Sequence, residues 1–125
     1  MTTTGLPAAL QSCAHGIYAL EAATGLIIAH ASWLDRDDFT RFIRTGPGTA
    51  AMASINWPAA ITALNISELP CSGGENKMLQ LAASLAGQTP VILGDTITGL
   101  DDRNVRLIVK AILHASGQRQ FPSPP

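Results

Sequence analysis

The feature that most constrains this chain is a helix–link–helix unit written into residues 72–116. Ser72-Gly73-Gly74-Glu75 has the S-x-x-E spacing of a capping box, in which the Ser hydroxyl accepts from the Glu amide and the Glu carboxylate reaches back to the Ser amide. Met78, Leu81, Ala82 and Leu85 follow at helical spacing, and Gly87 stands where a left-handed C-terminal cap belongs. Asp101 caps a second helix, with Val105, Ile108, Val109 and Ile112 as its expected buried face and Gly117 as its stop. Between them, Pro90 to Leu93 reads as a short buried strand or as an extended link. Two amphipathic helices bury their apolar stripes only against further elements, so the rest of the chain must supply them.

The upstream sequence does so. Residues 7–13 read as a short helix with Pro7 at an early position. From Ala14, the positions Ile17, Leu20, Thr24, Ile27, Ile28, Ala31 and Leu34 keep a helical period, widened by Ala19, Ala22, Ala23 and Ala29. Gly25 inside this stretch costs about 1 kcal/mol relative to Ala and points to the close approach of a neighbouring helix. Asp35 to Asp38 offer caps for a short helix Asp38 to Arg44 with Phe39, Phe42 and Ile43 on its apolar face, and Gly46-Pro47-Gly48 breaks the chain. Residues 50–55 fit a helix or a short strand, and Asn56-Trp57-Pro58 opens another helix running to Asn65. The expected fold is mainly α, a compact bundle of five or six short helices around a central helix 14–32. The alternative is a minimal α/β arrangement with short strands near 50–55 and 90–94. One domain, 1–117, is followed by a disordered tail, 118–125, rich in Pro and polar residues.

Composition narrows the partners. Apolar residues make up 46% of the chain and charged residues only 14%, which leaves apolar surface to spare and favours self-association. The net charge is −1 with no basic block, against nucleic acid as a partner, since backbone binding runs on clustered Lys and Arg. The longest apolar stretch, Ile17 to Ala31, is interrupted by Glu21, Thr24 and His30, so it reads as a core helix and not a membrane span. Two cysteines, Cys13 and Cys71, form no disulfide framework, and the N-terminal residues lack a signal-peptide pattern. The expected location is the cytoplasm, with reduced thiols.

The segment from Cys71 to Asp101 resembles the signature-to-D-loop, C-terminal half of an ABC-type ATPase. Ser72-Gly73-Gly74-Glu75 is similar to its signature motif, Val91-Ile92-Leu93-Gly94-Asp95 to its Walker B strand, and Gly99-Leu100-Asp101 to its D-loop. The resemblance implies that Ser72, Gly73 and Gly74 contact a phosphate held by another subunit, and that 91–94 is a parallel strand beside the Ser72 helix. Thr96 stands where that family has its catalytic Glu, the Asp95–Asp101 link is one residue short, and the phosphate loop G-x-x-x-x-G-K-[ST] is absent. Without that loop nothing holds the β- and γ-phosphates, so hydrolysis in cis is excluded. The plainer reading of the same residues is helix caps and turns.

Cys71 precedes a helix N-terminus, where a dipole favours the thiolate, which makes it the candidate nucleophile of a small cysteine enzyme. Against this, the echo of a C-x₅-R phosphate loop has Lys77 in place of Arg, and Glu75 repels an anion. His15, His30 and His114 lack metal-ligand spacing and read as helix-surface residues; no metal or cofactor is expected. Asp35, Asp37 and Asp38 read as capping groups, and Trp33 and Trp57 as core or interface anchors. The whole chain also resembles small bacterial, actinobacterial-type proteins of no assigned activity, in the pattern Leu69-Pro70-Cys71-Ser72-Gly73, then Leu81-Ala82-Ala83-Ser84-Leu85-Ala86, then Leu100-Asp101 and Asn104. The leading expectation is a non-enzymatic interaction or accessory module whose partner is another protein or itself. Such a module calls for an apolar surface patch and no polar pocket. The alternatives are an accessory related to a degenerate ABC half and an enzyme built on Cys71.

Overall fold

The computed structural model describes residues 5–45 and 52–121. It is mainly helical, with seven helices and one two-stranded antiparallel sheet among these residues. The first helix, α1 (Leu6–Ala14), carries Pro7 in its first turn. The expected continuous helix 14–32 is then broken: Gly16 takes φ +91 and its amide donates to Glu21 Oε2 at 2.8 Å. The central helix is α2 (Tyr18–His30), and Ile17, expected on its apolar side, is exposed. Residues 22–27 of α2 are buried all round, as expected of the innermost helix.

Past α2 the chain turns sharply. Ala31 adopts φ 74 and ψ −38 while the Ser32 amide donates to the His30 carbonyl at 2.9 Å, a γ-turn of the strained hand for a residue with a β-carbon. The following acidic cluster does not cap as expected. No side chain caps α3 (Asp37–Thr40), and Asp38 instead pairs with Arg36, which forks onto both carboxylate oxygens at 2.9 and 2.6 Å and lies over the Trp33 ring. Nor does α3 continue to Arg44, because Ile43 is drawn into β1 (Ile43–Thr45). That strand pairs with β2 (Ala53–Ile55) in the register Ile43 to Ile55 and Thr45 to Ala53. Ala53 and Ile55 point inward and Ser54 outward, the period-two pattern of a half-buried strand. Thus the strand near 50–55 forms, but its partner is 43–45. The expected break at Gly46-Pro47-Gly48 lies outside the described residues.

The rest follows the capping signals closely. Asn56 accepts from the Ala59 amide at 3.2 Å to start α4 (Trp57–Asn65). Ser72 and Glu75 form the full capping box of α5 (Gly73–Leu85), at 3.1 and 2.9 Å. Asp101 accepts from the Asn104 amide at 2.7 Å to start α7 (Asp102–Ala115). Both α5 and α7 end in a left-handed glycine, Gly87 at φ +79 and Gly117 at φ +104, with the paired amide-to-carbonyl bonds of a Schellman motif. The alternative strand at 90–94 does not form. The residues instead lead into a one-turn helix, α6 (Leu93–Ile97), in which the Thr96 hydroxyl donates to the Ile92 carbonyl at 2.9 Å.

Trp33, Phe39, Leu26, Ile27, Leu69, Met78 and Leu79 fill the core, each worth about 1.5–3 kcal/mol on burial. Trp33 and Trp57 are core residues, as expected, and Trp33 Nε1 donates to the Glu75 carbonyl at 3.0 Å, tying the turn after α2 to α5. α2 packs most extensively on α7 and next on α5. The α2–α7 pair is antiparallel: His114 near the end of α7 meets Glu21 at the start of α2, and Arg103 at the start of α7 donates to the Ala29 carbonyl. The close approach at Gly25 comes not from a helix but from the Phe121 ring.

The buried face of α7 differs from the expected one. Asn104, Ile108, Ala111 and His114 point inward, whereas Val105, Val109 and Ile112 are 39, 51 and 47% exposed. The apolar residues of α7 span two adjacent faces, and the Ala-rich α2 accepts the one carrying small Ala111. His30 and His114, expected on helix surfaces, are both buried. The segment from Gln118, read as the start of a frayed tail, lies against the helices as far as Phe121, whose amide donates to His114 Nδ1 at 3.0 Å.

Candidate functional site

The N-termini of α5 and α7 open onto one cavity of about 390 Å³, a polar pocket where the interaction module calls for none. Ser72, Gly74 and Glu75 line it from α5, Asp101, Arg103 and Asn104 from α7, and His30 and Ser32 from the turn after α2. The helices arrive there because each begins with a cap that turns the chain inward, Ser72 on α5 and Asp101 on α7. Aligned peptide dipoles place partial positive charge at both ends. Glu75 and Asp101 offset it: Glu75 is held below its ordinary value chiefly by its bond to the Ser72 amide, which prevails over desolvation.

His30 is the unusual member of this wall. It is 7% exposed, and its Nδ1 has no hydrogen-bond partner, the one such buried side-chain atom among the described residues. Burial and the nearby Arg103 charge lower its pKa and keep the ring neutral, with Glu75 and Asp101 opposing them. An unsatisfied buried nitrogen costs about 1–3 kcal/mol. The strained turn at Ala31 adjoins it. A cluster of donors, carboxylates and one spare imidazole nitrogen suits recognition of a small polar group; among the described residues no hydrogen bond joins the Ser72 hydroxyl to His30.

The sequence candidates divide between this cavity and a shallower one of about 360 Å³. Ser72 lines both, Gly74 only the first, and Cys71 and Gly73 only the second, beside Lys77 and Asp95. Cys71 is half-buried, with no hydrogen-bonded base among the described residues, and burial together with Glu75 pushes its thiol above the ordinary value, Arg36 opposing. That is the reverse of thiolate activation. Asp95 sits in the first turn of α6, exposed, where the ABC resemblance implies a strand end; Lys77 is spent on the Thr98 carbonyl at 2.5 Å. Among the described residues no three His, Cys, Asp or Glu side chains gather as metal ligands, and no helix is long and apolar enough to cross a membrane.

Outside the cavities, the exposed stripe Val105, Val109 and Ile112 runs along α7 at i, i+4, i+7, and Leu93 and Ile97 stand exposed on α6. Sequence reasoning named the α7 residues but placed them inside, and it missed His30, Arg103 and Asn104 as wall residues. Only their positions at helix ends, near the caps of α5 and α7, carried a signal. No protein family, no curated protein and no solved structure matches the chain.

Proposed function

We propose that this chain is a non-enzymatic interaction module of the cytoplasm that self-associates through the exposed face of α7. The observation that carries the reading is the stripe Val105, Val109 and Ile112, three branched aliphatic side chains left in water at helical spacing. Water contact with such a stripe is relieved by an identical stripe on a second copy, because a two-fold axis through Val109 lays α7 antiparallel on itself. The low charge of the chain, 14%, puts little repulsion in the way. The Arg106–Asp102 ion pair at 3.0 Å borders the stripe within one helix and leaves no unpaired charge there to bury. Sedimentation across a hundredfold concentration range tests it: the protein passes from monomer to dimer, and Val109→Asp stays monomeric with an unchanged circular-dichroism spectrum. A wild-type chain that is monomeric throughout overturns it.

A second reading is favoured by the unpartnered His30 Nδ1: the cavity between α5 and α7 holds a small polar ligand, with Ser72 and Gly74 near a phosphate-like group and Arg103 beside it; Gly73 faces the neighbouring cavity. Titration with inorganic phosphate, followed by the amide resonances of Gly74, Arg103 and Asn104, tests this. Saturable shifts confined to those residues support it, and none up to about 10 mM, a Kd too weak to matter, ends it.

A further inference from the structure

His114, Gln120 and Phe121 form one hydrogen-bonded unit on the flank of α7 opposite the exposed stripe. The His114 ring is 2% exposed, and its Nδ1 accepts the amide N–H of Gln120 at 2.9 Å and of Phe121 at 3.0 Å. Its Nε2 lies 2.7 Å from Glu21 Oε1. A ring nitrogen facing two amide donors carries no proton, so the ring is the neutral Nε2–H tautomer, donating to Glu21. The Gln120 and Phe121 amides therefore share a single lone pair. Phe121 completes the attachment: its ring lies 5.3 Å from the His114 ring and fills the notch left by Gly25 of α2, where a β-carbon would stand 2.6 Å from Phe121 Cδ2.

We propose that His114 is a pH-operated latch: a proton on Nδ1 turns the shared acceptor into a third donor, expels the Gln120 and Phe121 amides, and frees the Phe121 ring from the Gly25 notch. The charged and titratable groups around the ring set when this happens. From α2, Glu21 holds Nε2 and favours the protonated ring, and Tyr18 meets the imidazole edge-on at 6.2 Å. His15 Nδ1 approaches the other Glu21 oxygen at 3.7 Å, and the Arg119 charge acts on Glu21, both drawing on the same carboxylate. From α7, Lys110 Nζ lies 5.4 Å from the Phe121 ring and opposes a new positive charge nearby. Glu21 accepts from Nε2–H in the neutral and in the charged ring, so the helix seam stays closed while the segment leaves.

The test is nuclear magnetic resonance of the whole chain between about pH 8 and pH 5, a window centred on the ordinary histidine range. At high pH, His114 Nδ1 carries the shift of an unprotonated nitrogen, and the Gln120 and Phe121 amides are protected from exchange. As the ring charges, the protection of both amides falls by about tenfold or more, while that of Ile108 on the buried face of α7 holds. In His114→Gln the two amides lose all pH dependence of protection. A charged His114 with both amides still protected overturns the latch, as does a ring that stays neutral down to pH 5. A folded His114→Gln whose Gln120 and Phe121 amides keep their pH-dependent protection overturns it as well.

Discussion

The two ends of the α2–α7 seam each bury a histidine, and they treat it in opposite ways. At one end His114 uses both ring nitrogens, one toward Glu21 and one toward two backbone amides. At the other, His30 leaves Nδ1 without a partner, beside a strained turn and a cavity. A buried imidazole that is fully bonded fixes the position of what it touches, whereas one with a spare nitrogen holds polar capacity in reserve at a net cost. The first end is built to hold the chain's own backbone. The second is built like a wall that something else completes.

The largest effect tests the bonded end. His114→Ala leaves the Glu21 carboxylate and two amides without their partner and is expected to destabilise the fold by about 3 kcal/mol, read by urea denaturation. A loss below about 1 kcal/mol would mean that water replaces the ring without cost.

Next in size is a reversal of sign at Gly25. In the wild-type chain Gly25→Ala drives a methyl group into the Phe121 ring and is expected to cost about 1–2 kcal/mol. In a Phe121→Ala background the notch is empty and the same change is expected to stabilise α2 by about 0.5–1 kcal/mol, the ordinary gain of Ala over Gly in a helix. Thermal melts of the four proteins complete the cycle, and an equal cost in both backgrounds would remove Phe121 from the account.

The smallest effect concerns the other end and has a pH signature. His30→Leu removes an unsatisfied nitrogen and is expected to be neutral or stabilising by about 1 kcal/mol at pH 8. Burial lowers the His30 pKa, so the unfolded chain takes up the proton first. Stability is full above the ordinary value of 6.5 and is lost as pH falls below it toward the folded value. The Leu variant should lose this arm. It should keep a second arm that begins near 4.5, because desolvation of Glu21 is outweighed by its bonds to His114 and Gly16, which hold it below that value in the folded state. Stability curves of the two proteins that run parallel from pH 8 to 5 would show that His30 is not the group responsible.

How far the sequence reached follows the range of the forces involved. Capping is decided within four residues, and the starts of α4, α5 and α7 and the glycine stops at Gly87 and Gly117 were all readable from it. Helix limits set by distant partners were not: Gly16 breaks the central helix with help from Glu21, and Ile43 leaves the helical pattern to pair with Ile55. Which of two apolar faces α7 buries was undecidable locally, because Val105 and Ile108 differ only in what α2 offers them. The cavity was half legible. Ser72 and Gly74 came from the cap pattern, but His30 and Arg103 reach it from the end of α2 and the start of α7, and no local motif joins them.

The seam between α2 and α7 also governs how quickly this chain reaches its fold. Its cross-links join residues 74 apart at Arg103 and Ala29 and 93 apart at His114 and Glu21. Helix-rich domains ordinarily fold fast because their contacts are local, but here the innermost helix waits for a partner most of the chain away. Until α7 arrives, the small-residue surface of α2 stays wet and can meet the α2 of another nascent copy. The feature that makes the finished molecule tight, a central helix enclosed by late sequence, is thus also the step at which its assembly is expected to be slowest and most open to error.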